Sequence, residues 1–280
     1  MGREGGMSEF TAWIGRREVR DDRLDPARSN ALLAALGETT SLTGGDALPV
    51  LHHWLHFWDV RTPDETGPDG HARRGGFLPP VALPRRMWAG GRLLFRRPLR
   101  LGADVRREST ILSIEEKDGR SGALTFVTVR HEISDRDGPA IEEEQDLVYR
   151  AVTAPAAVLP PPVVDIGPGE ASIDPDAVLL FRYSALTMNS HRIHYDAPYV
   201  TGEEGYPGLV VHGPLQATLL ARHAEQRMGA PLASFRFRGV APAFVDRRLD
   251  LHSAVQGDEL ELWTSQEGQK AMTAVASAER

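Results

Sequence analysis

One stretch near the middle of the chain limits its possible folds more than any other: TAPAAVLPPPVVDIGPG, residues 153 to 169. Pro155, Pro160, Pro161, Pro162 and Pro168 lack backbone N–H groups and fix φ, so neither a helix interior nor a central strand can pass through the stretch. The chain is therefore read as a first half, 1–155, a proline-rich linker, 156–168, and a second half, 169–280. With 280 residues in all, each half is long enough to bury a core of its own.

Each half shows a helical pattern followed by a run of strands. In the first, RSNALLAALGE (28–38) predicts a helix ending at Gly37, and a long irregular region follows. ADVRRESTILSIEEKD, ALTFVTVRHEI and AIEEEQDLVYR then predict strands separated by GRSG and DRDG turns. In the second, GPLQATLLARHAEQRMG sets Ala217, Leu220, Ala221, Ala224 and Met228 on one helix face, and Gly229 closes it. SFRFRGV, DRRLDLHSAV, DELELWTS and KAMTAVASAE read as strands. Setting Phe95 on Phe237 also sets Arg96 on Arg238, Asp104 on Asp246 and Arg106 on Arg248. Together these features predict two copies of one α+β unit, each a helix wrapped by a curved antiparallel sheet.

Charge and composition narrow the partners. A net charge of −7 repels nucleic acid and anionic membranes, and without cysteine there are no disulfides, thiolate nucleophiles or cysteine-type zinc sites. No apolar run reaches the length of a bilayer span, and MGREGGMSEF has no apolar core like that of a secretory signal. The expectation is a cytoplasmic protein that binds neither nucleic acid nor membrane.

Chemically capable side chains concentrate in TMNSHRIHYD, Thr187 to Asp196, which holds Asn189, His191, Arg192, His194 and Tyr195. His194 reads either as a packed histidine at a strand end or as a general base, and His191 as the residue that orients it. A metal reading of the two histidines with Asp196 is possible by ligand type but lacks any further evident ligand. Downstream, Val211, His212 and Gly213 lead straight into a helix whose first turn suits Pro214. The unpaired N–H groups of that helix start, Gly213 foremost, form a positive pole for a substrate oxygen. A base followed by an oxyanion donor points to chemistry on a carbonyl compound.

Two further stretches stand out. LHHWLHFWD (51–59) puts His52 and His56 on one helical face with Trp54 and Trp58 beside them, a pattern of core packing. GGFLPPVALPRRMWAGG (75–91) reads as a loop carrying Arg85, Arg86, Met87 and Trp88, either a rigid connection or a seat for a phosphate and a stacked ring.

The stretches GGFLPPVALPRRMWAGGRL, SGALTFVTVRHEI, EEQDLVYR, FRYSALTMNSHRIHYD, YPGLVVHGPLQATLL and FRFRGVAP resemble the MaoC-like hot-dog hydratases and dehydratases. Within that superfamily the resemblance is to the double-hot-dog branch of mesaconyl-C4-CoA (itaconyl-CoA) hydratases and mitochondrial-type 3-hydroxyacyl-thioester dehydratases, and it spans most of the chain. It implies a double hot dog with one active site, supplied mainly by the second half and supported by a non-catalytic first half.

The superfamily motif, Asp, any residue, Asn, Pro, an aliphatic residue and His, falls with its His on His194. Its Asp falls on Asn189, and His191 and Arg192 take the places of Asn and Pro. An amide cannot accept a proton as a carboxylate can.

The resemblance implies a hydro-lyase interconverting mesaconyl-C4-CoA or itaconyl-CoA with citramalyl-CoA. Alternatives are a 3-hydroxyacyl-thioester dehydratase of fatty acid metabolism, an acyl-CoA thioesterase and a non-catalytic acyl-thioester-binding protein. Catalysis is expected from His194, Asn189 and Gly213. Substrate binding is expected from Arg192, His191, Tyr195, Val211, His212, Arg85, Arg86 and Trp88. Coenzyme A enters as part of the substrate, with no other cofactor and no metal, and the assembly is a monomer with an internal pseudo-dimer or a homo-oligomer. A substrate carboxylate would need a cation, for which Arg192, Arg85, Arg86, Arg236 and Arg238 compete.

Overall fold

The computed structural model describes residues 10–39, 41–119, 122–151 and 167–278, so nearly all of the expected linker lies outside the described residues. Helices and strands follow in the order β1 (Arg17–Arg23), α1 (Pro26–Ala35), β2 (Arg85–Phe95), β3 (Asp104–Gly119), β4 (Gly122–Asp135) and β5 (Gly138–Arg150). The second half supplies β6 (Ala171–Ile173), α2 (Ala177–Leu186), α3 (Ala197–Gly202), α4 (Gly213–Met228), β7 (Leu232–Gly239), β8 (Leu249–Gln256), β9 (Glu259–Gln266) and β10 (Gln269–Ala278).

The strands form one ten-stranded sheet in the order β1-β3-β4-β5-β2-β7-β10-β9-β8-β6, and every pairing is antiparallel. Read outward from the β2/β7 seam, the two halves have the same order, β2-β5-β4-β3-β1 against β7-β10-β9-β8-β6. The alignment of Phe95 with Phe237 places Leu93 on Phe235, and at the seam these two residues pair with each other. A residue that faces its own repeat counterpart lies on a local two-fold axis, so the register supports the repeat read from sequence. Both side chains are 1% exposed and share one core. Gly90 lets the strands close at the seam, since a Cβ there would lie 2.5 Å from the carbonyl oxygen of Phe237.

Strand identity follows from alternation. Along β4, Thr125, Val127, Val129, His131 and Ile133 are buried, and the intervening residues are not. In α4, Leu215, Ala217, Leu220, Ala221 and Ala224 are fully buried. The alanines let the helix lie close to β7, β9 and β10, and each buried leucine contributes roughly 1.5–3 kcal/mol. Gly229, at φ 66°, ends the helix in the left-handed region.

The helices repeat differently from expectation. The counterpart of α1 is α2, which packs against it. Where the second half has α4, the first half has an irregular run with a 3-10 turn at Pro63–Glu65 and, before it, another at His52–Leu55. That turn corrects the single helical face expected for His52 and His56. Backbone at Leu51 and Phe57 is left-handed, φ 61° and 58°, and His56 is extended, so no helix reaches from one histidine to the other. Instead His53 Nε2 lies 3.1 Å from Glu143 Oε2, and Trp54 Nε1 donates to Glu143 Oε1 at 2.9 Å. The loop expected through residue 91 is likewise corrected: Arg85, Arg86, Met87 and Trp88 belong to β2, where ladder bonds to β5 override the local proline and glycine content.

Candidate active site

Asp176 caps α2 by accepting from Leu179 N at 2.7 Å, and Asp196 caps α3 by accepting from Tyr199 N at 3.1 Å. The segment between these helices is held at its start by Thr187 Oγ1, which donates to Tyr183 O at 2.7 Å, and at its end by the Asp196 cap, with Asn189, His191 and His194 in it. Asn189 Oδ1 accepts from His191 N at 3.0 Å, which shapes the turn. His194 is 6% exposed, and its Nδ1 lies 2.7 Å from Val210 O. A carbonyl can only accept, so Nδ1 carries the proton and Nε2 keeps its lone pair. That is the tautomer a general base needs.

His194 stacks on His212 with ring centroids 3.6 Å apart, and His212 Nε2 lies 2.8 Å from Ser184 Oγ. The stack sets His194 beside the start of α4, because Gly213 follows His212. A Cβ built on Gly213 would meet nothing nearer than Met272 Cε at 3.8 Å, so packing does not require glycine there. The space its missing side chain leaves lies at the helix pole.

The first half reaches into this site. Gly70, at φ +89°, lies so close to the second half that a Cβ would fall 1.8 Å from Ser190 O. Arg192 N donates to Asp69 O at 2.9 Å, Arg192 Nη1 donates to Pro68 O at 3.0 Å, and Ser190 Oγ donates to Gly70 O. The docked loop delivers His71, whose ring centroid is 4.0 Å from that of His191, and His191 stands edge-on to His194 at 5.5 Å. His71 Nδ1 bonds Asp69 Oδ2 at 3.0 Å. Four imidazoles thus run His71, His191, His194, His212, and only His71 bonds a carboxylate.

Burial governs their titration. It pushes His194 down to about 4 and, with the positive field of His71, His191 to about 2. It also holds His71 and His212 below the ordinary histidine range. Burial acts to raise Asp69, yet the hydrogen bond and charge of His71 hold it below the usual carboxylate range. Asp69, His71 and His191 bring ligand atoms within 4.8 Å of one another, a set that suits a divalent cation by chemistry. Arg86 and Arg74 direct positive charge at His71, however, and would repel one.

The remaining sequence candidates separate. Arg192 pairs with Asp196 at 2.8 Å and lies over the Tyr199 ring. Arg85 pairs with Glu204 at 3.0 Å. Arg236 and Arg238 are on the exposed face of β7, opposite the buried Phe235 and Phe237. Trp88 packs edge-on against Trp54 and Phe237 and donates to Gly90 O. Val211 is in the core, its N–H bonded to Ala243 O. Tyr195 is exposed and donates to Ser190 O at 3.0 Å. Arg86 forms no ion pair with a carboxylate among the described residues, and its charge bears on Tyr149, His71 and His191.

Sequence reasoning missed Asp69 and His71. The local signal was PDGH, an aspartate two residues before a histidine, where Asp69 Oδ1 accepts from His71 N at 3.1 Å.

Comparison with known proteins agrees with the fold and places the chain. Residues 51–245 match the family described as hydroxyacyl-thioester dehydratase type 2. The chain is 46% identical over 260 residues to the mesaconyl-C(4)-CoA hydratase of Chloroflexus aurantiacus, covering 91% of this chain and 92% of the relative. It is 29% identical over 240 residues to the mitochondrial hydroxyacyl-thioester dehydratase type 2 of Schizosaccharomyces pombe, covering 76% and 78%. Among solved structures, a MaoC-like dehydratase from Phytophthora capsici superposes with TM-score 0.71 at 13% identity over 95% of this chain and 96% of that one. A Mycobacterium tuberculosis protein described as a double hotdog fold gives 0.59 at 14% identity, covering 95% and 96%. No helix among the described residues is long and apolar enough to cross a membrane. The chain shares its fold with solved MaoC-like dehydratases, and by sequence it is a hydro-lyase that belongs to the hydroxyacyl-thioester dehydratase type 2 family.

Proposed function

We propose that the protein hydrates an enoyl-CoA thioester whose acyl group carries a free carboxylate, with mesaconyl-C4-CoA or itaconyl-CoA as substrate and citramalyl-CoA as product. The observation that carries this reading is the tautomer lock on His194, with Nδ1–H on Val210 O and Nε2 free, beside the start of α4. The similarity to a mesaconyl-C(4)-CoA hydratase supports the acyl group.

The thioester oxygen sits at the N–H of Gly213, which draws electrons from the double bond. In mesaconyl-C4-CoA, water held by Nε2 of His194 gives one proton to an imidazole of the site while its oxygen adds to the β carbon. The enolate forms on the thioester oxygen, and the α carbon takes that proton back. Itaconyl-CoA, whose double bond is β,γ, first loses an α proton and gains one on its methylene to reach the same conjugated thioester. General acid–base assistance is worth roughly 10²–10⁴-fold, and one oxyanion donor roughly 10²–10³-fold. Arg86 meets the acyl carboxylate. Arg85 and Arg192 are committed to carboxylates, and Arg236 and Arg238 face outward on β7. The first half shapes the site through the docked loop that carries Asp69 and His71, and coenzyme A is the only cofactor-like group required. The intrachain β2/β7 pairing suits a monomer with an internal pseudo-dimer.

Incubation with mesaconyl-C4-CoA, itaconyl-CoA and crotonyl-CoA, with products weighed by mass spectrometry, tests this. A gain of one water on the first two, lost in Arg86→Ala but not with crotonyl-CoA, is expected. Release of free CoA thiol, or no turnover, refutes it.

A further inference from the structure

The superfamily motif places a carboxylate where this chain has Asn189, and Asn189 is occupied in accepting from the His191 backbone. The site still needs a place to hold the proton that water gives up. An imidazolium at His194 would stack on His212 and stand edge-on to His191 with no anion beside it. His71 differs, since it alone among the four rings has a carboxylate on one nitrogen, which leaves Nε2 for the reaction. It is also the more accessible ring, with 23% of its side chain exposed against 6% for His194 as a residue.

We infer that the Asp69–His71 pair, carried into the site on the first half's docked loop, is the acid–base group that replaces the missing motif carboxylate. This rests on the hydratase reading above. Water gives one proton to His71 Nε2, its oxygen bonds the β carbon, and the π pair moves to the thioester oxygen at Gly213. When that pair returns, the α carbon takes the proton back from His71, and the imidazole ends neutral. His194 Nε2 accepts a hydrogen bond from the second O–H of the same water and aims it. Asp69 is a positioning residue: it fixes the tautomer of His71 and balances the imidazolium, the arrangement of base and orienting carboxylate found in hydrolytic triads. The charged and titratable groups facing His71 are Asp69 and Arg74 from its own segment, Arg86 from β2, and His191 and His194 from the second half.

The test is Asp69→Asn, in which Oδ1 still accepts from His71 N while an amide N–H replaces the oxygen at Nδ1. On mesaconyl-C4-CoA, kcat should fall roughly 10²-fold with KM within about threefold, in keeping with loss of acid–base assistance. Asp69 raises the affinity of His71 for a proton, so the acid limb of the kcat profile should move to lower pH. Asp69→Glu should restore part of the rate, and His71→Gln should lose at least as much as Asp69→Asn. Hydration by the wild type with an unchanged rate and acid limb in Asp69→Asn overturns the pair's role and leaves the hydratase reading standing. Absence of hydration in the wild type removes both. Loss of rate on chelation, restored by zinc, also overturns the pair and assigns Asp69, His71 and His191 to a metal.

Discussion

His194 lies nearly flat on His212, with planes 17° from parallel and centroids 3.6 Å apart, and both rings are buried. Two charges at that separation would repel by roughly 4–5 kcal/mol even at an effective dielectric of about 20. The stack therefore excludes a doubly charged state and favours a neutral His194 with its lone pair available. His194→Ala should fold, because a carboxylate-free, singly bonded ring leaves no buried charge unpaired, and should lose roughly 10²–10⁴-fold in hydration rate. The rate is read as loss of enoyl absorbance, and retention of wild-type activity would refute a catalytic role.

The same burial predicts acid lability. His52 is held down to about 3, and His56, His131 and His194 to about 4, chiefly by desolvation. In the unfolded chain they titrate near 6.5. Between about pH 6.5 and 4 the unfolded chain thus binds protons that the folded chain does not, so stability rises with pH there and falls on acidification. Glu143 has the same sign at lower pH: burial opposes its charge, yet the hydrogen bond from His53 holds it at about 2. Its contribution is present above its ordinary value and is lost as pH falls toward 2. Tm followed by circular dichroism should fall steadily from pH 7 to 4, and a flat or rising Tm would contradict this.

Gly70→Ala tests whether the first half shapes the site. Its Cβ would meet Ser190 O at 1.8 Å from a backbone at φ +89°, so the loop must move or the strain be borne, at a cost of about 1–3 kcal/mol or more. Movement carries Asp69 and His71 away from His191. Activity should drop by at least about tenfold while the circular dichroism spectrum of the sheet persists. An unaffected rate would show that the loop is not part of the site.

What the sequence disclosed and what it hid divide by range of interaction. β3, β4 and β5 are legible because alternating burial writes a period of two into the residues themselves, and α4 is legible from its alanine and leucine face. α2 escaped because Val178 and Phe181 on its outward side are apolar too and blur the helical period. The first half lacks an α4 equivalent because left-handed backbone at Leu51 and Phe57 breaks the run, which residue types alone do not announce. His194 and Gly213 could be proposed from one local stretch. Asp69 and His71 show in sequence only as the pair in PDGH, and not as part of this site, since their place is set by bonds to Ser190 and Arg192 in the other half.

Asn189 separates shaping from chemistry. The one hydrogen bond of its side chain, accepted from His191 N at 3.0 Å, is a bond that a carboxylate oxygen makes equally well. Asn189→Asp should fold and keep kcat within about tenfold, whereas Asn189→Ala forfeits a turn bond worth about 1 kcal/mol and loosens His191. Steady-state kinetics on the two variants decides the matter. A collapse in Asn189→Asp with Asn189→Ala still active would mean that a neutral group is required and that the turn is incidental.

Gly213→Ala tests the helix pole with little confounding from stability. The added methyl has 3.8 Å to its nearest neighbour, Met272 Cε, and alanine is the better helix former, so Tm should hold or rise slightly. The N–H remains, but the methyl enters the space from which a thioester oxygen would approach it. If that oxygen is held there, kcat should fall toward the roughly 10²–10³-fold loss expected when one oxyanion donor is removed. Unchanged kcat and KM at unchanged Tm would show that the carbonyl is polarised elsewhere.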